Sequence, residues 1–422
     1  MDLHSGRRSD QQARAFGSLD GSVELLSAEL IEVRLPFREP VATAKGTHRM
    51  RPLVLVHLQC TGPDGSVVDG WGECAALGDT TYDDEDVAAV WSALTDGLIP
   101  GLISLLGSDG KLPTPSDLHG NRSQAGRPMA YAALEMAVAD GHLRAGGRSF
   151  ADLIGVGGQI IEPGAVLGLP TTAEQLGSDL VRLLDSGYAR VKIKIAPGLE
   201  TLIDGAVRPL VGSGIIVQLD ANGTYGSDAA ERLGILDDLD LACIEQPLGR
   251  YDLEGHRQLA ADLVTPICLD ESLDSPQAVV EAVDGGACSV VCVKPARLGG
   301  IGSALEVINW CEAHSVPWWI GGMFESGYAR GVNRALSALS DGSLPGDLAP
   351  PQAYLDADLV EPMPGTVDAD SGRLTVPVPV GPGMGPVPDP PLVEPRVVRR
   401  LVVDVRGAGT HSVEFPDFRN LL

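Results

Sequence analysis

The chain has 422 residues, with 57 acidic side chains against 31 Lys and Arg, and a formal net charge of −26. That balance argues against nucleic acid or an anionic membrane surface as a partner and fits a solvated acidic exterior. The length allows more than one domain and a large core, no run approaches the roughly 18 apolar residues of a membrane span, and the first 21 residues lack the apolar stretch of a signal peptide.

Residues 1–21 read as a disordered leader. LLSAELIEVRL (25–35), LVLVHLQC (53–60) and SVVDGWGEC (66–74) read as antiparallel strands, with TGPDGS as a turn. YDDEDVAAVWSAL (82–94) and RPMAYAALEMAVADGHLRA (127–145) read as helices. These elements predict an α+β capping domain over 22–160, completed by a returning segment at 366–404 that includes the strand candidate GRLTVPVPV (372–380). A Pro-rich stretch, 377–395, reads as a connection and 405–422 as a loosely packed tail.

Between these segments, over 161–365, the pattern changes. Short apolar runs end in charged residues: VKIKI (191–195), VQLDAN with Asp220, CIEQP with Glu245, ICLDES with Asp270 and VVCVKP with Lys294. Asp220, Glu245 and Asp270 stand at intervals of 25 residues, Lys294 follows Asp270 by 24, and Lys194 precedes Asp220 by 26. One strand, one helix and two short loops fill that period, which is the βα unit of a parallel barrel. The helix-like stretches AAERLGILDDL, DLEGHRQLAADL, SPQAVVEAVDGG and ALEVINWCEAHS lie between the runs. The barrel starts near AVLGL (165–169), includes WWIGGM (318–323) and ends in a weak strand, SLPGDL (343–348). The fold class is therefore α/β, a TIM-type barrel with an α+β cap. Every charged residue named sits at the C-terminal end of its strand, where barrel active sites form.

Asp220, Glu245 and Asp270 on three neighbouring strands can aim oxygens at one hard cation, and Mg²⁺ suits a few carboxylates plus waters, with Mn²⁺ as a substitute. Asn222 and Glu271 read as hydrogen-bond partners behind them. The chain has only five lysines, and three of them lie in these apolar runs. A buried lysine differs from arginine in that its amine can lose and regain a proton. Residues two apart on a strand share a face, so Lys192 and Lys194 both face the barrel interior. Two ammoniums beside a divalent cation predict a lysine pKa lowered toward neutrality, as a general base requires. Lys294 comes from the far side of the barrel, and Arg297 beside it either tunes it or binds a carbonyl. Seven cysteines, Cys60, Cys74, Cys243, Cys268, Cys288, Cys292 and Cys311, form no CxxC pair. They read as reduced core residues of a cytoplasmic protein.

The series KxK, DAN, EQP, DES, KPARLGG and GGMFESGYAR resembles the enolase superfamily, in its muconate-lactonizing subgroup. The resemblance covers about 25–385 and includes GWGEC (70–74), Tyr82, ALEMAVAD (133–140) and LPGDL (344–348). GGMFESGYARGVNRAL is most similar to the o-succinylbenzoate synthases and the N-acylamino acid racemases related to them. The resemblance implies a modified (β/α)7β barrel, Asp220, Glu245 and Asp270 as Mg²⁺ ligands, Lys194 as acid/base, and Lys192 as a holder of the substrate carboxylate. It places Lys294 on the opposite face and Gly321, Gly322 and Met323 along the pocket. The substrate class is a small carboxylate. Dehydration to o-succinylbenzoate in menaquinone biosynthesis is the expected activity, with racemisation of N-acylamino acids and muconate-type cycloisomerisation as alternatives and a non-catalytic metal-stabilised scaffold as the rival from another class. The capping loop departs from the family pattern: TAKG (43–46) has Ala44 where a serine is usual. Association into homo-oligomers stays open.

Overall fold

A computed structural model describes residues 12–13, 15–17, 19, 22–43, 46–80, 82–107, 109–118, 126–340, 344–405 and 409–414. Strands β1 (Glu24–Thr43), β2 (Gly46–Thr61) and β3 (Val67–Cys74) form an antiparallel meander. Next, β4 (Ile160–Ile161) precedes seven parallel strands: β5 (Ala165–Leu167), β6 (Arg190–Lys194), β7 (Ile216–Asp220), β8 (Ile244–Glu245), β9 (Ile267–Leu269), β10 (Val290–Val293) and β11 (Trp318–Ile320). These pair in chain order, β5 through β11, with helices between them. β12 (Thr366–Val367) and β13 (Leu374–Pro377) join β4 in a small antiparallel sheet. β14 (Val397–Asp404) and β15 (Gly409–Glu414) return to the first sheet, whose order is β15-β14-β1-β2-β3. The fold is thus a curled parallel sheet under a separate cap of antiparallel strands.

The barrel closes differently from expectation. The segment 344–348 is not a strand. Pro345 has no N–H to give a ladder, and the chain closes the circle with single hydrogen bonds instead. The Asp347 N–H donates to Ile320 O on β11 (3.0 Å), and the Gly164 N–H, just before β5, donates to Gly346 O (2.7 Å). Within the returning segment 366–404, the candidate strand at 372–380 forms β13, which pairs with β12 and β4, while β14 completes the cap sheet along β1. Within the expected tail, β15 pairs along β14. Within the expected leader, Phe16 and Leu19 are buried, and Phe16 packs edge-on against Phe150.

GWGEC has a direct packing reason. A Cβ on Gly70 would lie 2.5 Å from Ala137 O, and one on Gly72 only 1.9 Å from Ala133 O. The two glycines therefore let the helix Pro128–Ala145 lie straight on β3. Residues 129–143 of that helix are all buried, between the cap sheet and the barrel. The helical run Val87–Leu105 spans 19 residues at mean hydropathy 1.4, long and apolar enough to cross a membrane by length and composition. Its buried residues Val87, Val90, Leu94, Leu98 and Leu102 recur at helical spacing on one face, as in a core helix of a globular cap.

The cap is bolted to the barrel by buried polar contacts. Glu73 accepts from the Ser326 N–H (2.9 Å) and hydroxyl, which caps the helix Gly327–Ser337. Glu135 accepts from the Ile301 N–H (2.6 Å) at the start of Ile301–His314. Arg51 reaches Met323 O (2.9 Å) and Phe324 O (3.2 Å) past β11. The expected capping loop is the tip of the β1–β2 hairpin, where Thr43 pairs with Gly46; Ala44 and Lys45 lie outside the described residues.

Candidate active site

The alternation in β6 sends Val191 and Ile193 into the apolar core and Lys192 and Lys194 to the interior. Parallel register then sets Lys194 beside Asp220, and Asp220 beside Glu245, on adjacent strands. Asp270 and Lys294 follow the last residues of β9 and β10. Three strands separate β6 from β10 in the sheet, so Lys194 and Lys294 approach the carboxylates from opposite sides.

Lys194, whose side chain is 28% exposed, donates to Asp220 Oδ2 (2.7 Å) and Asn222 Oδ1 (2.6 Å). Asn222 passes the chain on through its amide to Glu271 Oε1 (2.9 Å). Lys192 is buried below, 2.5 Å from Asp347 Oδ2 and 3.2 Å from both Asp220 Oδ2 and Glu245 Oε2. Lys294 donates to Asp270 Oδ2 (2.6 Å) and to the Tyr82 hydroxyl (2.9 Å). That hydroxyl donates in turn to Asp270 (2.9 Å). Arg297 bonds Asp83 Oδ2 (2.5 Å) and Glu271 O (2.7 Å). It therefore ties the cap segment beside Tyr82 to the loop after β9.

Gly321 adjoins Lys294: a Cβ there would come within 2.6 Å of the Lys294 stem and of the Cys292 sulfur. Gly322 packs against Asp347 and Arg330, and Met323 is buried with its carbonyl on Arg51. Asn222 (φ 43°), Gln246 (φ 41°) and Phe324 (φ 54°) hold left-handed backbone just past β7, β8 and β11. Such strain concentrates at functional rims.

The charges are closely coupled. Burial pushes Glu245 up to about 8, and Asp220 beside it adds to the shift. Glu271 is pushed up to about 7 by burial and by Asp270 and Asp220. Burial also acts upward on Asp220, but Lys194 and Lys192 outweigh it and hold Asp220 well below its usual range. Burial acts downward on Lys192 and Lys294, yet Asp347, Glu245 and Asp220 around the first and Asp270 beside the second hold both well above the usual lysine range.

The donor set fits a divalent metal. Glu245 Oε1 and Glu271 Oε2 are buried with no hydrogen-bond partner among the described residues. Crowded, partly unpaired carboxylates are what a cation neutralises. Glu245, Asp270 and Cys292 each bring one ligand atom within 4.8 Å of one another. Asp220 stands outside that group, with its Oδ2 between the two lysine ammoniums.

Three participants escaped the sequence reading. Asp347 joins Lys192 and Arg190 (2.9 Å); it lies at the end of SLPGDL, the expected last strand, where a charged residue carries the same strand-end signal as its neighbours. Gln218, two residues before Asp220 and so on the same face, donates to Glu245 Oε2 (2.6 Å) and accepts from Arg190 (2.9 Å). Gln246 accepts from the Asp270 N–H (3.0 Å) and donates to the Ser272 hydroxyl (2.8 Å), joining the loops after β8 and β9. Nothing in its sequence position signals that.

Two family models match, "Enolase C-terminal domain-like" over residues 175–392 and "Mandelate racemase / muconate lactonizing enzyme, N-terminal domain" over 26–155. The chain belongs to the enolase superfamily. Among its relatives, it is 38% identical to an N-succinylamino acid racemase of Amycolatopsis sp, over 88% of this chain and 97% of the relative. It is 34% identical to an o-succinylbenzoate synthase of Geobacillus stearothermophilus, over 84% of this chain and 91% of the relative. A solved enolase-superfamily structure from Listeria innocua superposes with a TM-score of 0.82 at 29% identity, covering 91% of this chain and all of that one. The two superfamily modules coincide with the antiparallel cap and with the barrel that carries the lysines and carboxylates.

Proposed function

We propose that the chain is an o-succinylbenzoate synthase, which dehydrates 2-succinyl-6-hydroxy-2,4-cyclohexadiene-1-carboxylate in menaquinone biosynthesis. The observation that carries this reading is the placement of Lys194 and Lys294 on opposite sides of one carboxylate cluster, in a chain similar to such synthases over most of its length. Asp220, Glu245 and Asp270 hold the metal, which we take to be Mg²⁺. When bound, the metal supplies Lewis-acid stabilisation of the negative charge that develops on the substrate carboxylate.

Lys194 takes the α-proton. Its Nζ is aimed by Asp220 and Asn222, and it is the more open of the interior lysines on β6. The same amine then returns the proton to the departing hydroxyl as the C–O bond breaks, so water leaves and the ring becomes aromatic. Lys294 presents a fixed ammonium to the enediolate from the other side, held by Asp270 and Tyr82. Lys192 is too deeply buried to grip substrate freely; wedged among Asp347, Asp220 and Glu245, it positions those carboxylates. Gly321, lacking a Cβ, lets the Lys294 stem pack directly against the backbone after β11. Cytoplasmic residence belongs to this reading and is supported by seven buried, unpaired cysteines.

A second reading, N-succinylamino acid racemase, uses the same residues. It is favoured by the amine on each face and by the similarity to the Amycolatopsis enzyme. The deciding assay gives purified protein and Mg²⁺ the cyclohexadiene substrate and, in parallel, N-succinyl amino acids. Dehydration as the faster reaction is the expected result. Racemisation far faster than dehydration makes the second reading the correct one, and no turnover of either substrate removes both.

A further inference from the structure

Beneath the carboxylates lies a layer that the proposed chemistry does not use. Cys243, Cys268 and Cys292 stand two residues before Glu245, Asp270 and Lys294. Residues two apart on a strand share a face, so these thiols belong to the interior layer just below the charged one. They are buried together with Val290 and Trp319 in a small cluster separate from the main core. Cys292 alone among them has its sulfur within 4.8 Å of ligand atoms of both Glu245 and Asp270. A tetrahedral cation with bonds of about 2.3 Å to sulfur and about 2.0–2.2 Å to oxygen holds such atoms roughly 3.6 Å apart, inside that limit. Glu245 Oε2 is engaged by Gln218, while Glu245 Oε1 is buried and unpartnered among the described residues. Gly321 packs close against the sulfur, where a Cβ would lie 2.6 Å from it, so only glycine fits beside Cys292.

We propose that Cys292 adds a sulfur donor to the carboxylate site, so that a thiophilic divalent cation such as Cd²⁺ or Zn²⁺ binds through Cys292, Glu245 and Asp270. The proposal rests on Glu245 and Asp270 being metal-facing carboxylates. Mg²⁺ takes oxygen ligands alone, whereas the softer ions take thiolate as well. As the metal–sulfur bond forms, the S–H bond breaks and its proton passes to solvent. The two kinds of ion compete for the same two carboxylates, and the thiophilic one is drawn toward the barrel floor.

The test uses the full chain, freed of metal by chelation and titrated with Cd²⁺ while the thiolate-to-metal charge-transfer absorbance is followed. The band is expected to grow to saturation at a single equivalent and to fall when excess Mg²⁺ is added. Cys292→Ser should lose the band and weaken Cd²⁺ binding roughly tenfold or more, while calorimetry shows Mg²⁺ affinity within about threefold of the parent. Cys268→Ser, on the neighbouring strand, should keep the band. Cadmium NMR of the unaltered protein gives the same answer without a variant, since a sulfur ligand moves the resonance far from an all-oxygen site. Mg²⁺ binding with no thiolate band, or a band that survives Cys292→Ser, overturns the proposal and leaves the carboxylate site standing. Failure of both Mg²⁺ and Cd²⁺ to bind removes the carboxylate site and the proposal together.

Discussion

Lys194 and Lys294 are held by different partners. Lys194 sits between Asp220 and Asn222 with part of its side chain open, and Lys294 is almost enclosed by Asp270 and Tyr82. A group that moves a proton needs its neutral form, and arginine has none at working pH. Lys194→Arg is expected to lower kcat for dehydration by roughly 10³-fold, the scale of a lost general base. Lys294→Arg keeps the positive charge and should retain measurable dehydration while losing racemisation. If Lys294→Arg eliminates dehydration as completely as Lys194→Arg does, a fixed charge is not the role of Lys294. Asp347 gives a second residue-scale test. It compensates two buried cations, Lys192 and Arg190. Breaking a buried ion pair from one side costs about 3–5 kcal/mol, so Asp347→Asn should lower the urea midpoint by a corresponding amount. A midpoint equal to the parent's would show that Gln218, Asp220 and Glu245 suffice for Lys192 and Arg190.

Strand β3 and the helix Pro128–Ala145 pack backbone against backbone in the cap. Their contact depends on Gly72, where a Cβ would meet the Ala133 carbonyl at 1.9 Å, backbone against backbone. Neither side can rotate away, so Gly72→Ala should destabilise by about 3 kcal/mol or more, at or beyond the upper end of overpacking costs. Gly97 is the contrast. It is exposed within the helical run Val87–Leu105, and a Cβ there meets nothing within 4 Å. Gly97→Ala should be neutral or stabilise by up to about 1 kcal/mol by restricting the unfolded chain. Thermal denaturation of the pair checks both, and equal melting temperatures would contradict the packing account.

Cap and barrel meet through buried polar side chains, and Glu73 is the most telling. Its carboxyl is buried against Ser326, and burial pushes it up to about 7. A carboxyl with a raised folded pKa binds more protons in the folded state than in the unfolded one between the two values. Its contribution to stability is therefore highest below an unfolded value of about 4.3 and is lost as pH rises toward 7. The loss attributable to this group is about 4 kcal/mol as an upper figure, from 1.36 kcal/mol per pKa unit. Glu73→Gln, which cannot titrate, should be less stable than the parent at pH near 4 and gain on it steadily up to about pH 7. Parallel pH profiles for the two proteins, measured by denaturant unfolding, would show that Glu73 does not titrate at this interface.

Local periodicity determined much of the site. A βα unit repeats at a set length and a strand alternates its faces at every second residue, so Lys194, Asp220, Glu245, Asp270 and Lys294 were legible as strand-end residues pointing inward. The residues that complete the site were not, because their partners are distant in the chain. Asp347 meets Arg190 across 157 residues, Arg297 meets Asp83 across 214, and Glu73 meets Ser326 across 253. Such pairings depend on which segment closes the barrel and which strand completes the cap sheet. Both outcomes depended on edges: an irregular proline-containing segment bridges β11 and β5, and of the strands in the returning segment it is β14 that adds to β1. Hydrogen-bonding groups at a sheet edge accept any extended segment that arrives in register. The alternation of residues therefore marks a strand but does not say which neighbour it will have, and that was settled only when cap and barrel packed together.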